Sequence, residues 1–234
     1  MDGTLLTLGG GGFLMSADGS SLIDDLALEL TATTRPRVCF IPTASGDAAS
    51  ATERFEAAFP ASRAQTSVLS LFNMGPYGYT DPHMLLEQDL IYVGGGSTAN
   101  LLALWRLHGL VPILEQAAAG TVLAGISAGM NCWFEASSTD SYGPLAPLND
   151  GLGFLPGGAC PHYLGEPTRR KKLMEWVGSG QLPDTLALDD GAAALWVDGE
   201  LVRVVTERDG AVALRVRRVG DCAVEEPLET HALG

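Results

Sequence analysis

Five short apolar runs, most of them ending in Gly or Ser, constrain this chain more than any other feature. Thr4–Leu8, Val38–Ile41, Thr66–Leu71, Leu90–Val93 and Val122–Ile126 are too short for helices. Helical patterns intervene at Leu22–Leu30, Ala48–Phe59, Thr98–Leu107 and Val111–Ala119. Strands apolar on both parities, alternating with helices, predict a mostly parallel sheet sandwiched by helices, an α/β fold. Ligand sites in such sheets lie at the carboxyl ends of the strands. Gly9–Gly12, Gly94–Ser97 and Gly125–Gly129 fall at such ends. Farther on, Ala193–Val197, Leu201–Thr206 and Ala211–Val216 are separated by Asp198-Gly199 and Asp209-Gly210. These turn pairs predict a C-terminal antiparallel meander on the sheet edge. The 234 residues suffice for one α/β domain spanning 1–234.

Charge and composition narrow the partners. The formal net charge is −14, which argues against nucleic acid or an anionic membrane as partner. No apolar run approaches the roughly 18–20 residues of a bilayer span, and the start of the chain has no signal-peptide pattern. Cys39, Cys132, Cys160 and Cys222 form no CxxC pair, so reduced and mostly buried thiols in a cytoplasm are expected. No His/Cys/Asp cluster has zinc spacing, so neither metal nor cofactor is expected. Basic residues concentrate at Arg169, Arg170, Lys171 and Lys172, a run that is equally readable as a solvated helix start.

The stretch LAGISAGMNCWFE, from Leu123 to Glu135, contains Gly-x-Ser-x-Gly. That spacing marks a strand-to-helix turn exposing a nucleophilic serine, Ser127, with the Ala128 N–H aimed at the same space. A following helix would add partial positive charge for an oxyanion. Small residues permitting close packing would give the same pattern.

A serine nucleophile needs a base. His83 and His108 lie at a turn and a helix end. His162 lies in the rigid loop GGACPHYLGEP, and His231 near the chain end. Asp189 and Asp190 in LALDDGAAAL, and Asp140 in SSTDSYG, are candidate orienting acids. Two triads follow, Ser127–His162–Asp190 and Ser127–Asp190–His231, of which the first avoids a base on a frayed tail. Gly94, Gly96 and Ala99 match a dinucleotide fingerprint, but the next strand ends at Ile126-Ser127 rather than at an acidic residue. The alternative is that Gly96 supplies a second oxyanion donor and Ser97 touches substrate.

In order along the chain, IPTASGD, IYVGGGSTANLL, AGISAGMNCWFE, TDSYG, PHYLGEPTRR and ALDDGAA resemble the family of aspartyl dipeptidase (peptidase E) and cyanophycinase, over roughly residues 38 to 197. The resemblance implies a fold similar to class I glutamine amidotransferases and a Ser–His–acid triad. By motif it implies Ser127 as nucleophile, His162 as base, Asp190 as acid, and Gly96 and Ala128 at the oxyanion positions. Asp140 matches an aspartate regarded as important in peptidase E. Arg169, and next to it Arg170, match the region that reads an aspartyl side chain, and Arg suits bidentate carboxylate recognition. Two departures stand out: Ser97 replaces a frequent Asn, and the stretch between histidine and arginine is short. The expected activity is cleavage of small peptides with an N-terminal acidic residue. A cyanophycin-type or ester substrate, and a non-catalytic small-ligand-binding role, are the alternatives. A homodimer is expected from the resemblance alone.

Overall fold

The computed structural model describes residues 2–72 and 80–234. Its strands, in chain order, are β1 (Thr4–Leu8), β2 (Arg37–Ile41), β3 (Gln65–Val68), β4 (Leu90–Val93), β5 (Val122–Ile126), β6 (Phe134–Thr139), β7 (Ala146–Leu148), β8 (Leu155–Cys160), β9 (Thr185–Leu188), β10 (Ala192–Val197), β11 (Glu200–Thr206), β12 (Ala213–Val219), β13 (Cys222–Pro227) and β14 (His231–Ala232). The helices are α1 (Gly12–Met15), α2 (Leu22–Glu29), α3 (Ala49–Ala58), α4 (Thr98–Leu107), α5 (Leu110–Ala118), α6 (Ala128–Asn131) and α7 (Arg169–Ser179).

Among the described residues the strands form two sheets. The first runs β14-β11-β10-β1-β5-β4-β2-β3, parallel from β1 through β3. The second runs β13-β12-β9-β8-β6-β7, with β6, β8 and β9 parallel. The C-terminal strands are antiparallel as expected, but they divide between the sheets. β10 and β11 extend the first from β1, whereas β12 and β13 extend the second from β9.

The apolar parity of the strands accounts for the layering. Leu6, Leu8, Val38, Phe40, Leu90 and Tyr92 face Phe13, Phe55 and Phe59 on one side of the first sheet. Leu5, Cys39, Ile41, Ile91 and Val93 face the opposite way, into a core that includes Trp105, Trp133, Leu155 and Leu188. A strand buried on both faces must be apolar at every position, and β4 is. A third cluster, with Leu173, Trp176 and Val177 of α7, covers the far side of the second sheet. Cys39, Cys132 and Cys160 are buried and Cys222 is exposed, all free.

Register fixes which strand ends meet. Leu8 pairs with Ile126, and Val93 pairs with Gly125. The chain leaving β1, β4 and β5 therefore emerges along one rim. Among the described residues no helix is long and apolar enough to cross a membrane.

Candidate active site

Ser127 sits between β5 and α6 with φ 56° and ψ −111°, backbone that few residues with a Cβ adopt. Its N–H donates to the Leu8 carbonyl at 3.0 Å, which ties the turn to the neighbouring strand. The glycines on either side answer a packing demand. A Cβ on Gly125 would lie 2.2 Å from the Gly129 carbonyl oxygen, and one on Gly129 would lie 2.3 Å from that of Val93. Close packing and an exposed serine are thus two aspects of one turn. The helix that follows is a single turn, Ala128–Asn131, so its contribution reduces to a few backbone N–H groups rather than a long dipole.

His162 arrives on the loop after β8, pinned from three directions. Its N–H donates to the Gly9 carbonyl at 3.2 Å, Tyr163 N–H donates to Leu188, and Leu164 N–H donates to the Asp189 carboxylate at 2.8 Å. Asp189 thereby braces the loop, while its neighbour Asp190 faces the imidazole. His162 Nδ1 lies 2.5 Å from Asp190 Oδ1, and its Nε2 lies 2.9 Å from Ser127 Oγ. The hydrogen bond from His162, outweighing partial burial, holds the Asp190 carboxyl below its ordinary range. Ser127, His162 and Asp190 are therefore joined in one hydrogen-bonded series.

The other histidines stay out. His83 pairs with Asp81 in solvent, His108 follows α4, and His231 is exposed on β14 opposite Val205. The Ser127–Asp190–His231 arrangement is not assembled.

Two cavities flank Ser127 and share only Ser127 and His162 as walls. The smaller, about 180 Å³, is polar, and the Gly96, Ala128, Asp140 and Arg169 picked out in the sequence all line it. Gly96 has φ 136°, and a Cβ there would lie 2.2 Å from the Ala44 carbonyl oxygen, so only glycine fits. Among the described residues neither the Gly96 nor the Ala128 N–H has a hydrogen-bond partner. Arg169 is buried, 3% exposed, and donates from Nη2 and Nε to Glu166 Oε2 at 2.7 and 3.1 Å.

Two residues sit elsewhere than the sequence suggests. Arg170 turns away, because one step along a helix rotates a side chain by about 100°. Its guanidinium binds Glu225 on β13. Ser97 caps α4, its hydroxyl accepting the Asn100 N–H at 3.3 Å.

Several wall residues were not anticipated. Asn131 and Ser138 line the polar cavity with Oδ1 and Oγ buried and, among the described residues, without a partner. Glu166 lines it too. Gly10 is a further case: a Cβ there would lie 2.0 Å from Asp190 Oδ1 and 2.8 Å from His162 Nδ1. Only for Gly10 was there a signal, the glycine run at the end of β1.

The larger cavity, about 340 Å³, lies on the other side of Ser127 beneath Phe40, Ala51 and Ile126, with Arg54 among its walls. Among the described residues no group of three or more His, Cys, Asp or Glu could hold a metal ion.

Comparison with known proteins identifies the family. Over 231 residues the chain is 44% identical to the uncharacterized peptidase YgaJ of Bacillus subtilis (strain 168), covering 98% of this chain and 99% of that one. It is 30% identical to Peptidase E of Streptomyces coelicolor over 205 residues, 82% of this chain and 80% of the relative. The crystal structure of a peptidase from an acI-B1 Actinobacterium superposes with a TM-score of 0.69 at 17% identity, covering 98% of this chain and 95% of that one, which speaks to fold. The model of peptidase family S51 matches residues 5–205, and the chain belongs to that family of peptidases.

Proposed function

We propose that this peptidase cleaves small peptides with an N-terminal aspartyl residue through a serine acyl-enzyme. One observation carries the reading: the hydrogen-bonded series Ser127–His162–Asp190 beside a polar cavity. Ser127 Oγ attacks the scissile carbonyl while His162 Nε2 takes its proton. Asp190 holds the tautomer with its proton on Nδ1 and stabilises the imidazolium. The N–H groups of Gly96 and Ala128 donate to the oxyanion. His162 returns the proton to the leaving amine, and water then releases the acyl group. Asp140 faces the α-ammonium, and Arg169 reads the aspartyl carboxylate.

That last assignment has a competitor built in. Glu166 already occupies two donors of Arg169, so a substrate carboxylate must share or displace it. Work in the cytoplasm is part of the same reading, supported by four cysteines that are all free.

The test is kcat/KM for Asp-Leu, Asn-Leu, Leu-Leu, an aspartyl-arginine polymer and a p-nitrophenyl ester. Wild type should prefer Asp-Leu, and Ser127→Ala should lose about 10⁶-fold in turnover. Arg169→Gln should erase the preference for Asp over Asn. Equal turnover of Asp-Leu and Leu-Leu by wild type ends the specificity claim. A Ser127 that a fluorophosphonate does not label ends the claim of catalysis.

A further inference from the structure

A peptide whose scissile carbonyl rests at Ser127 must extend to both sides of it. Because the two cavities meet only at Ser127 and His162, they take opposite ends of such a peptide. The polar cavity holds Arg169 and the unpartnered Asn131 and Ser138 oxygens, which suits the small N-terminal residue. The other cavity is nearly twice as large, and its walls of Phe40, Ala51, Ile126 and Leu14 are apolar. Met15, on its rim, leaves half of its surface to solvent and adds apolar area at the mouth of the cavity.

Arg54 is the cation on this wall. It projects from α3, and its Nη1 donates to the Ser16 carbonyl at 3.1 Å. Among the described residues no carboxylate lies within ion-pair distance of it, whereas Arg63, one helix turn beyond α3, is paired with Asp25. Arg35, Lys171, Arg203, Arg208 and Arg215 likewise make no ion pair among the described residues, but Arg54 is the one of these that lines a cavity at Ser127, where its exposed guanidinium can meet a ligand carboxylate. An aspartyl dipeptide supplies such a carboxylate. It brings two carboxylates into a negatively charged protein, and each needs a local cation.

We propose that the larger cavity binds the residue on the leaving side of the scissile bond, favouring an apolar side chain, and that Arg54 binds that residue's free C-terminal carboxylate. The proposal rests on the serine-peptidase reading above. It adds a second specificity determinant, one that selects very short peptides by their C-terminus.

The experiment compares kcat/KM for Asp-Leu and Asp-Leu-amide in wild type, Arg54→Gln and Arg54→Lys. The acid-to-amide ratio cancels any general change in activity. Wild type should favour the acid by about five- to tenfold, the range of a partly exposed charge-assisted pair. Arg54→Gln should bring the ratio close to one, and Arg54→Lys should keep part of it. A wild-type ratio of one overturns the proposal even if neither variant folds, as does a ratio that survives in Arg54→Gln. Absence of turnover on both peptides overturns the peptidase reading and the proposal together, so the two failures are distinct.

Discussion

Ser127 and His162 both hold positive φ, 56° and 52°, although each carries a Cβ. Such backbone costs about 1–3 kcal/mol per residue and persists only where neighbours over-determine it. Here the neighbours are identifiable: the Leu8 and Gly9 carbonyls accept the two N–H groups. The same stretch of chain supplies Gly10, whose missing side chain leaves room for the Asp190 carboxylate and the His162 ring. Its backbone is not in the left-handed region, so an alanine meets steric rather than conformational opposition. Gly10→Ala should displace Asp190 from Nδ1 and lower turnover by about 100-fold or more, with a thermal midpoint close to wild type. Gly120→Ala, which meets open space at ordinary φ, should be silent in both measurements. Normal turnover in Gly10→Ala would mean that the imidazole needs no carboxylate where Asp190 stands.

At the scale of elements, the turn is a compact junction of β4, β5 and α6. Gly129 lies against the Val93 carbonyl, and Gly125 lies against the Gly129 carbonyl, backbone to backbone in both cases. No flexible side chain is available to yield. Gly129→Ala should therefore destabilise the protein by about 3 kcal/mol or more, read from the urea midpoint. An unchanged midpoint would show that α6 can lift off the sheet. This junction was legible in the sequence because each piece is local: a continuous apolar run, a glycine pair and the serine between them. β1, β4 and α4 have the limits that the sequence suggests, Thr4–Leu8, Leu90–Val93 and Thr98–Leu107. The second sheet was not legible. β8, LPGGAC, carries a proline and two glycines, and Gly157 at φ 79° lies where the pairing with β6 shifts register. Strands of that composition lack the alternating or apolar signal, and they form because the first sheet offers them a surface. The polar cavity depends on that surface. Asn131, Ser138 and Glu166 are distant from one another in sequence and meet only once both sheets are in place, which no local pattern records.

Across the whole molecule, two carboxylates tie the rim to the far ends of the chain. Glu207, after β11, accepts from the N–H groups of Gly12 and Ile23 and from the Ser21 hydroxyl. Asp24, on α2, accepts from Phe13 N–H at 2.6 Å and from the Tyr92 hydroxyl at 3.0 Å. Between them they hold α1 and the Gly9–Gly12 stretch on which Asp190 and His162 rest. Burial raises the Asp24 carboxyl from 3.8 to about 7, against the opposing hydrogen bonds from Tyr92 and Phe13, and the nearby Glu207 charge adds to the rise. The formal charge of −14 counts Asp24 as ionised, yet burial favours its protonated form up to about neutrality. A folded-state pKa above the unfolded one means that folding takes up a proton. The stability from this group is full below about pH 4 and declines as pH rises through about 7. Asp190 has the opposite sign: its contribution is present above the ordinary carboxylate range and is lost only as pH falls through its depressed value. The two groups therefore act on opposite sides of about pH 4: stability is given up through Asp190 as pH falls and through Asp24 as pH rises towards 7. Asp24→Asn keeps the shape and removes the titration. Thermal melts at pH 5 and pH 8 should show the variant gaining on wild type as pH rises, with the smaller deficit, or a net advantage, at pH 8. An equal difference at both pH values would mean that Asp24 titrates at the same pH folded and unfolded, and that the clamp on α1 is held by an ordinary carboxylate.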